Sequence, residues 1–260
     1  MLNKSLKSCV LGLFFLSLIS FTACKSAEEK TNTSYVTYDN AIIDSSAEQD
    51  TIVRNFIIPY KNHVDEEMSK ILSYAPETMD KSQGVWETTI GNLLAESAME
   101  MVEPVFFQRT GKHIDACMFN HGGIRTIIPQ GNVSTRTAYE VMPFENEAVV
   151  LKLTANEINE LAQYMISKKI PHPLSNITIE IDENEAIQQV KINGKALEEN
   201  RFYYILTSDY LANGGDEMYF FGKAQERMEM NYKLRNTLID YFTKHDTLPV
   251  IKTPRVIIYP

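Results

Sequence analysis

The fold is decided by residues 113–125, which read His-Ile-Asp-Ala-Cys-Met-Phe-Asn-His-Gly-Gly-Ile-Arg. The apolar run ends in a polar glycine loop, which predicts a short buried strand that stops at this loop. Adjacent glycines allow close backbone approach, Asn120 can donate and accept hydrogen bonds, and Arg125 offers a planar fork for a carboxylate or phosphate. Taken alone, such a loop is more typical of a glycine turn with a surface arginine.

Helical and strand patterns surround this stretch without a regular alternation. The predicted helices are residues 53–68, interrupted by Pro59; residues 90–107, which Pro104 should kink or end; the segment after the capping box of Thr154 and Glu157; and residues 231–243. The predicted strands are residues 148–153, 201–207 and 256–259, and a hairpin that pairs 177–181 with 190–192. The sequence therefore predicts an α+β (mixed α/β) domain, a mixed sheet with flanking helices.

Two further loops carry aromatic and polar side chains. Met142-Pro143-Phe144-Glu145-Asn146 precedes a strand, and its Phe can stack on a nucleobase, although a Phe folded into the core is the more common outcome. Ser208-Asp209-Tyr210 leads into Asn213-Gly214-Gly215-Asp216. Asp216 can bind a ribose diol, hold its loop through an Asx-type bond, or do both.

Composition and charge restrict the function classes. The 260-residue chain is 44% hydrophobic and 23% charged, which is a globular balance, and its formal net charge is −9. An acidic surface repels a nucleic-acid backbone, so no nucleic-acid partner is expected. Cys117 lies in the apolar run, where we expect a small buried residue rather than a nucleophile.

The first residues have the pattern of an export signal. Lys4 and Lys7 supply the positive start, residues 10–21 are apolar, and Phe21-Thr22-Ala23-Cys24 resembles a bacterial lipobox. This pattern favours a lipoprotein over a secreted protein with a chance cysteine there. We expect a lipoprotein signal peptide in residues 1–23, lipidation of Cys24, a flexible tether in 24–50 and the folded domain in 51–260. The protein would then be exported and lipid-anchored to the cell envelope, periplasmic or surface-exposed.

The three loops together resemble the C-terminal domain of 5′-nucleotidases and UDP-sugar hydrolases. The resemblance rests on the order Asn-x-Gly-Gly-Ile-Arg from Asn120, Pro-Phe-x-Asn from Pro143, and an aromatic residue followed by Gly-Gly-Asp. Upstream, Thr89-Ile90-Gly91-Asn92-Leu93-Leu94-Ala95 is similar to the Gly-Asn-Leu start of that domain's opening helix. The resemblance covers about residues 69–242 and implies the fold of that domain and a role in nucleotide recognition.

The resemblance also implies a role for each matching residue. Phe144 and Tyr210 would stack on the two faces of a nucleobase, and Asn120 would contact the base. Arg125 would lie near the phosphate or ribose, and Asp216 would hold ribose hydroxyls. The substrate-binding set is Asn120, Gly122, Gly123, Arg125, Phe144, Tyr210, Gly215 and Asp216, with no catalytic and no metal-binding residue.

Two positions depart from the family pattern. His121 stands where the family usually has the first of three glycines, so a side chain there would narrow the pocket or add a donor. Family members often place an arginine as a phosphate clamp shortly before the Gly-Asn-Leu helix, whereas Gly84-Val85-Trp86-Glu87 holds no basic residue.

A larger difference from the family concerns the catalytic domain of its full-length members. In full-length members an N-terminal metallophosphoesterase domain holds two metals through Asp, His and Asn motifs. None of the five histidines of this chain, His63, His113, His121, His172 and His245, belongs to such a motif. No cofactor is therefore expected in this chain, and divalent metals only in a partner catalytic chain.

Three functions remain as alternatives. The first is nucleotide or nucleoside recognition for extracytoplasmic nucleotide hydrolysis, with a separate metallophosphoesterase chain as partner. The second is a lipoprotein that binds nucleosides without any enzyme. The third is an independently active hydrolase that uses Asp216 and His121.

Overall fold

The computed structural model describes Asp44 and residues 47–260 of the chain. Within it, Thr51–Pro260 pack as one unit. The expected signal segment, Cys24 and most of the expected tether lie outside the described residues. No helix in the described part of the chain has both the length and the hydropathy that a membrane span requires.

The domain contains six α-helices and eleven strands among the described residues. The helices are α1 (Thr51–Ser69), α2 (Thr89–Thr110), α3 (Thr135–Val141), α4 (Ala155–Lys168), α5 (Asp209–Ala212) and α6 (Leu234–Lys244). The strands are β1 (Ile71–Ala75), β2 (Ala116–Met118), β3 (Gly131–Ser134), β4 (Glu147–Thr154), β5 (Leu174–Ser175), β6 (Ile177–Asp182), β7 (Ile187–Ile192), β8 (Lys195–Ala196), β9 (Phe202–Ser208), β10 (Glu226–Lys233) and β11 (Val256–Tyr259). Short 3₁₀ turns cover His121–Gly123, Gly215–Glu217 and Tyr219–Lys223.

A five-stranded mixed sheet forms the centre, in the order β10-β4-β9-β2-β5. Residues along β4 alternate between its two faces, as the period of a strand requires. Val150 faces a core shared with α2 and α6, whereas Val149 and Leu151 face a second core shared with α4 and the four-stranded sheet β11-β6-β7-β8. The central sheet is therefore buried on both faces, which confirms the predicted fold class.

Most strongly patterned segments form the predicted elements. The capping box opens α4, with the Thr154 amide donating to Glu157 Oε2 at 2.8 Å. The apolar stripe of α4 is buried, β6 and β7 form the predicted hairpin, and the last strand, β11, has the predicted bounds. Cys117 is buried with its thiol donating to the Ala95 carbonyl, and burial raises the pKa of that thiol, so it is not a poised nucleophile.

Two expectations about the helices were wrong: that Pro59 would interrupt its helix, and that the closing helix would begin at residue 231. Pro59 and Pro104 both lie inside helices, α1 and α2, so Pro104 does not end its helix. Both prolines are exposed, so the carbonyl that loses its helical partner can be solvated. Residues 231–233 belong to β10 rather than to the closing helix, because Lys233 pairs with Glu147 across a bulge in which Asn231 takes a φ of 52°.

Candidate functional site

The three loops of the sequence motifs meet at one edge of the central sheet. β2 and β9 are parallel neighbours, with Cys117 opposite Leu206, so their carboxyl ends lie at the same edge. β4 runs antiparallel to β9, with Ala148 opposite Ser208, so the loop before β4 reaches that edge too. The strand directions therefore bring together loops that lie far apart in the sequence.

These loops enclose an open cavity of about 350 Å³. Seven of the eight residues predicted to bind substrate line it, together with Asn146 of the Pro-Phe-x-Asn motif, which was not among them. The lining residues are Asn120, Gly122, Gly123, Arg125, Phe144, Asn146, Tyr210 and Asp216. Gly215, the remaining predicted residue, does not line the cavity.

Gly215 lies beneath the ring of Tyr210 instead. A Cβ atom at this position would stand 2.5 Å from two ring carbons of Tyr210 and 2.7 Å from a third. These distances are far below van der Waals contact, so only glycine lets the ring lie where it does. The second glycine of the Gly-Gly-Asp motif thus sets the position of an aromatic side chain that lines the cavity.

The carboxylate of Asp216 joins two of the loops. Asn120 Nδ2 donates to Asp216 Oδ2 at 2.8 Å, and the Tyr210 hydroxyl donates to Oδ1 at 2.7 Å. The hydrogen bond to Asp216 raises the pKa of Tyr210. A carboxylate accepts about four hydrogen bonds, so acceptor capacity remains for a ligand hydroxyl. These bonds go to side chains, so the Asx-type bond is not the contact that holds the Asp216 loop.

Phe144 and Arg125 form a second side of the cavity. Phe144 is 42% exposed and Tyr210 is 43% exposed, so neither ring is core packing. The Arg125 guanidinium lies 5.7 Å from the centre of the Phe144 ring, within cation–π range, and donates to the Gly122 carbonyl at 3.3 Å. The cavity therefore combines two partly exposed rings, a carboxylate and a guanidinium.

Arg235 of α6 anchors the loop that carries Phe144. Its buried guanidinium donates to the carbonyls of Pro143 and Phe144 at 3.2 and 3.3 Å, and it pairs with Glu145. Hydrogen bonds from Lys233 and Arg235 lower the pKa of Glu145 to about 2. No local sequence pattern identified Arg235, because it lies some ninety residues from the loop.

Lys81 brings a second cation to the loop of residues 120–125. Its ammonium donates to the Ile124 carbonyl at 2.6 Å. Burial lowers the pKa of His121, and the positive charge of Lys81 lowers it further. Although residues 84–87 hold no basic side chain, a cation from just upstream of them thus contacts the backbone carbonyl that precedes Arg125. The sequence gives no local signal for this contact, because Lys81 and Ile124 lie 43 positions apart in the chain.

The buried ring of His172 and the half-buried ring of Tyr164 hold two of the loops that line the cavity. The His121 amide donates to Nδ1 of His172 at 3.1 Å, and the Tyr164 hydroxyl donates to the Asp216 carbonyl at 2.8 Å. The two supporting rings lie 5.5 Å apart. Burial lowers the pKa of His172 to about 4, so its ring is neutral and can accept that bond. His172 lies in a loop, as predicted, and acts as a support for the neighbouring loop.

The Gly-Asn-Leu segment at the start of α2 has a structural role. Thr88 caps the helix by accepting from the Gly91 amide at 3.0 Å, and a Cβ at Gly91 would stand 2.8 Å from that hydroxyl and 3.5 Å from Pro173. Asn92 is buried and donates to the carbonyls of Ile251 and Thr253. The motif therefore fixes the helix start and the C-terminal segment, away from the cavity.

The described residues do not include a set of three or more His, Cys, Asp or Glu side chains placed to hold one metal ion. His113 pairs with Glu103 and His245 with Glu100, each on the protein surface or half-buried. The donors in the part of the chain that the structure describes thus do not fit a dinuclear metal centre.

The fold and the cavity define a mixed α/β domain with an aromatic and charged pocket at a sheet edge. The chain belongs to the 5′-nucleotidase C-terminal domain family, whose model matches residues 69–223. Domains of this family are usually paired with a metallophosphoesterase domain.

Relatives of known name are distant and longer. A 5′-nucleotidase of Vibrio vulnificus is 24% identical over 181 residues, 67% of this chain and 31% of that protein. An apyrase of Anopheles gambiae is 21% identical over 226 residues, 79% of this chain and 38% of that protein. The solved 5′-nucleotidase precursor of Thermus thermophilus superposes with a TM-score of 0.66 at 20% identity, covering 82% of this chain and 44% of its own. The chain thus spans about a third of the length of these two curated relatives.

Proposed function

We propose that this chain is a nucleotide- and nucleoside-recognition protein that contributes to nucleotide hydrolysis outside the cytoplasm together with a separate metallophosphoesterase chain. The observation that carries the proposal is the cavity in which Phe144 and Tyr210 stand beside the Asp216 carboxylate and the Arg125 guanidinium. Aromatic faces, a hydroxyl acceptor and a cation are the partners that the base, the ribose and the phosphate of one nucleotide require.

Each part of a nucleotide has a matching group. The base would stack on Phe144 and Tyr210, each contributing about 1–3 kcal/mol by analogy with base stacking on aromatic side chains. The ribose hydroxyls would donate to Asp216, which Asn120 and Tyr210 already hold in place. A phosphate would lie toward Arg125, where its charge is matched.

The possible metal ligands of this chain support the proposal that catalysis takes place in a separate chain. Its histidines lie outside metal-binding motifs, and the described donors do not converge on one point. When bound in a partner, two divalent metals would polarise the phosphoryl group and activate water. This chain would contribute binding and orientation of the nucleotide at the pocket.

Export and anchoring belong to the same proposal. A lipidated Cys24 would hold the domain at the cell envelope through acyl chains, with residues 25–50 as a tether. Such placement would let the chain capture nucleotides before they are taken up as nucleosides. A lipoprotein that binds nucleosides without any catalytic partner is the alternative.

Calorimetric titration of adenosine and its monophosphate tests the recognition function. Phe144→Ala should weaken the binding of adenosine about tenfold or more, since the loss of one stacking face is worth at least about 1.4 kcal/mol. Phe202→Ala is the matched control, because Phe202 is 45% exposed, carries Lys152 over its ring and lies outside the cavity. Equal affinities for the parent and Phe144→Ala would show that the ring is not a stacking surface.

A hydrolysis assay tests the division of labour. The purified chain, supplied with manganese or zinc, should release no phosphate from adenosine monophosphate above background. Robust turnover that persists through repeated purification would overturn the proposal and favour Asp216 and His121 as catalytic groups. If the chain binds adenosine without turnover and no neighbouring gene encodes a protein with metallophosphoesterase motifs, the alternative of a nucleoside-binding lipoprotein without a catalytic partner is favoured.

A further inference from the structure

Helix α1 carries an apolar stripe that the described residues leave open. None of the residues of the helix is buried, and three large apolar side chains are more than half exposed: Phe56 at 69%, Tyr60 at 64% and Val64 at 52%. Residues four apart lie on one side of a helix, and Ile57 extends the same stripe. A helix of this length gains little stability on its own, so most of its stability should come from packing of that side.

The stripe is attached to the loop system of the pocket. The Arg136 guanidinium of α3 lies 3.4 Å from the Asp65 carboxylate of α1, and the Thr135 amide donates to the Lys70 carbonyl at 3.1 Å. α3 is two turns long and leads directly into the loop that carries Phe144. A protein that covers the stripe therefore stands beside one wall of the cavity.

We infer that the stripe of Phe56, Ile57, Tyr60 and Val64 is the docking surface for the catalytic metallophosphoesterase chain, an inference that rests on the proposed function. The family match is to a C-terminal domain and begins at residue 69, directly after α1. In longer relatives the remaining chain therefore adjoins the domain at this boundary. A catalytic partner that is a separate chain needs a non-covalent contact to reach the same position, and α1 lies at this boundary.

The chemistry of the helix favours a protein over a membrane surface. Its sequence holds Arg54 and Lys61 against Asp65, Glu66 and Glu67, so its net charge is not basic. Amphipathic helices that lie on anionic membranes carry a strongly basic polar side instead. Exposed aromatic residues are the side chains most enriched in protein–protein interfaces. The partner surface should be an apolar groove with basic residues opposite the acidic last turn of α1.

Photo-crosslinking in the cell that produces the full chain tests this contact. A benzoylphenylalanine in place of Tyr60 should crosslink to a protein whose sequence carries the metallophosphoesterase metal motifs. The same probe in place of Asn62, on the other side of the helix, should not. Crosslinks to lipid, to a second copy, to the chain's own residues, to a protein without those motifs, or to nothing would each overturn the inference.

A second measurement separates docking from recognition. The double variant Phe56→Asp, Tyr60→Asp should lower metal-dependent hydrolysis of adenosine monophosphate by the co-purified pair at least about tenfold, as the loss of interface anchors does. Its affinity for adenosine should equal that of the parent, because α1 does not line the cavity. Asn55→Asp, Asn62→Asp is the charge-matched control. Parent-like hydrolysis by the double variant refutes the docking surface alone, whereas a parent chain that binds no adenosine refutes the proposed function.

Discussion

Substitution of Gly215 by alanine should damage the pocket without damaging the fold. The new methyl group would stand 2.5 Å from ring carbons of Tyr210, whereas ordinary carbon contacts are about 3.5–4.0 Å. The ring must therefore move by about 1 Å or more. Gly215 has no positive φ, so its backbone accepts alanine and the only strain is this contact.

The movement of the ring affects two interactions. It breaks or weakens the 2.7 Å hydrogen bond from the Tyr210 hydroxyl to Asp216, worth about 1.5–3 kcal/mol for a charged acceptor. It also misplaces one stacking face, worth about 1–3 kcal/mol. The lower value for the stacking face alone predicts that adenosine binds about fivefold more weakly or worse, because the hydrogen bond is lost from the free and the bound chain alike. The melting temperature should fall by only a few degrees, because the hydrogen bond that is lost joins side chains that are partly exposed and Gly215 is not buried.

Calorimetry with adenosine and a thermal melt on each variant measure both effects. Gly222→Ala is the matched control, since Gly222 lies in a nearby 3₁₀ turn and a Cβ there meets no atom within 4 Å. Gly222→Ala should bind as the parent does. If Gly215→Ala also binds adenosine with parental affinity and an unchanged melt, then the position of the Tyr210 ring does not determine binding, and the reasoning is refuted.

Three further predictions concern charge, pH and anchoring. Arg125→Ala should weaken the binding of adenosine monophosphate more than that of adenosine, because the Arg125 guanidinium lines the cavity; equal losses by titration would contradict this. Lys81→Ala should have a smaller effect in the same direction, because Lys81 bonds the Ile124 carbonyl of the same loop without lining the cavity. His172 has a pKa of about 4 in the folded chain and about 6.5 when unfolded, so the unfolded state binds the proton first and the free energy of unfolding should fall by about 3 kcal/mol as the pH drops from 6.5 to 4. Urea titrations at several pH values should show a smaller fall in the free energy of unfolding for His172→Gln than for the parent. An identical dependence on pH would show that His172 does not cause this fall. Cys24→Ala should move the protein from the membrane fraction to the soluble envelope fraction, and a variant that stays membrane-bound would contradict lipidation.

Elements with strong local signals could be predicted from the sequence. The box of Thr154 and Glu157, the alternation of β6 and β7, and the apolar run at β2 each depend on neighbours within a few residues. β10 was missed although Met228, Met230 and Tyr232 alternate with polar residues, because the closing helix was predicted to begin inside this strand, at Asn231, where the strand bends. Tertiary pairing with β4 decides that segment, and local propensity does not.

The pocket could be predicted only through the order of three motifs, since each loop alone favoured an ordinary turn or core residue. The three side chains that hold the loops of the pocket could not be predicted from the sequence. Arg235, Tyr164 and His172 act on residues that are about fifty to ninety positions away in the chain. Gly215 shows the limit of a motif: it was predicted to contact the ligand, whereas it makes room for the ring that lines the cavity.

The three side chains that hold the loops explain why the residues that line the pocket contribute little to the stability of the fold. Arg235, Tyr164 and His172 all bond to backbone carbonyls or amides, so they position the loops whatever side chains those loops carry. The exposed rings and the guanidinium that line the cavity contribute little buried area, while the two cores on either side of the central sheet hold most of the apolar surface. Substitutions in the lining can therefore change ligand preference at small cost in stability, whereas loss of a support should displace a whole loop.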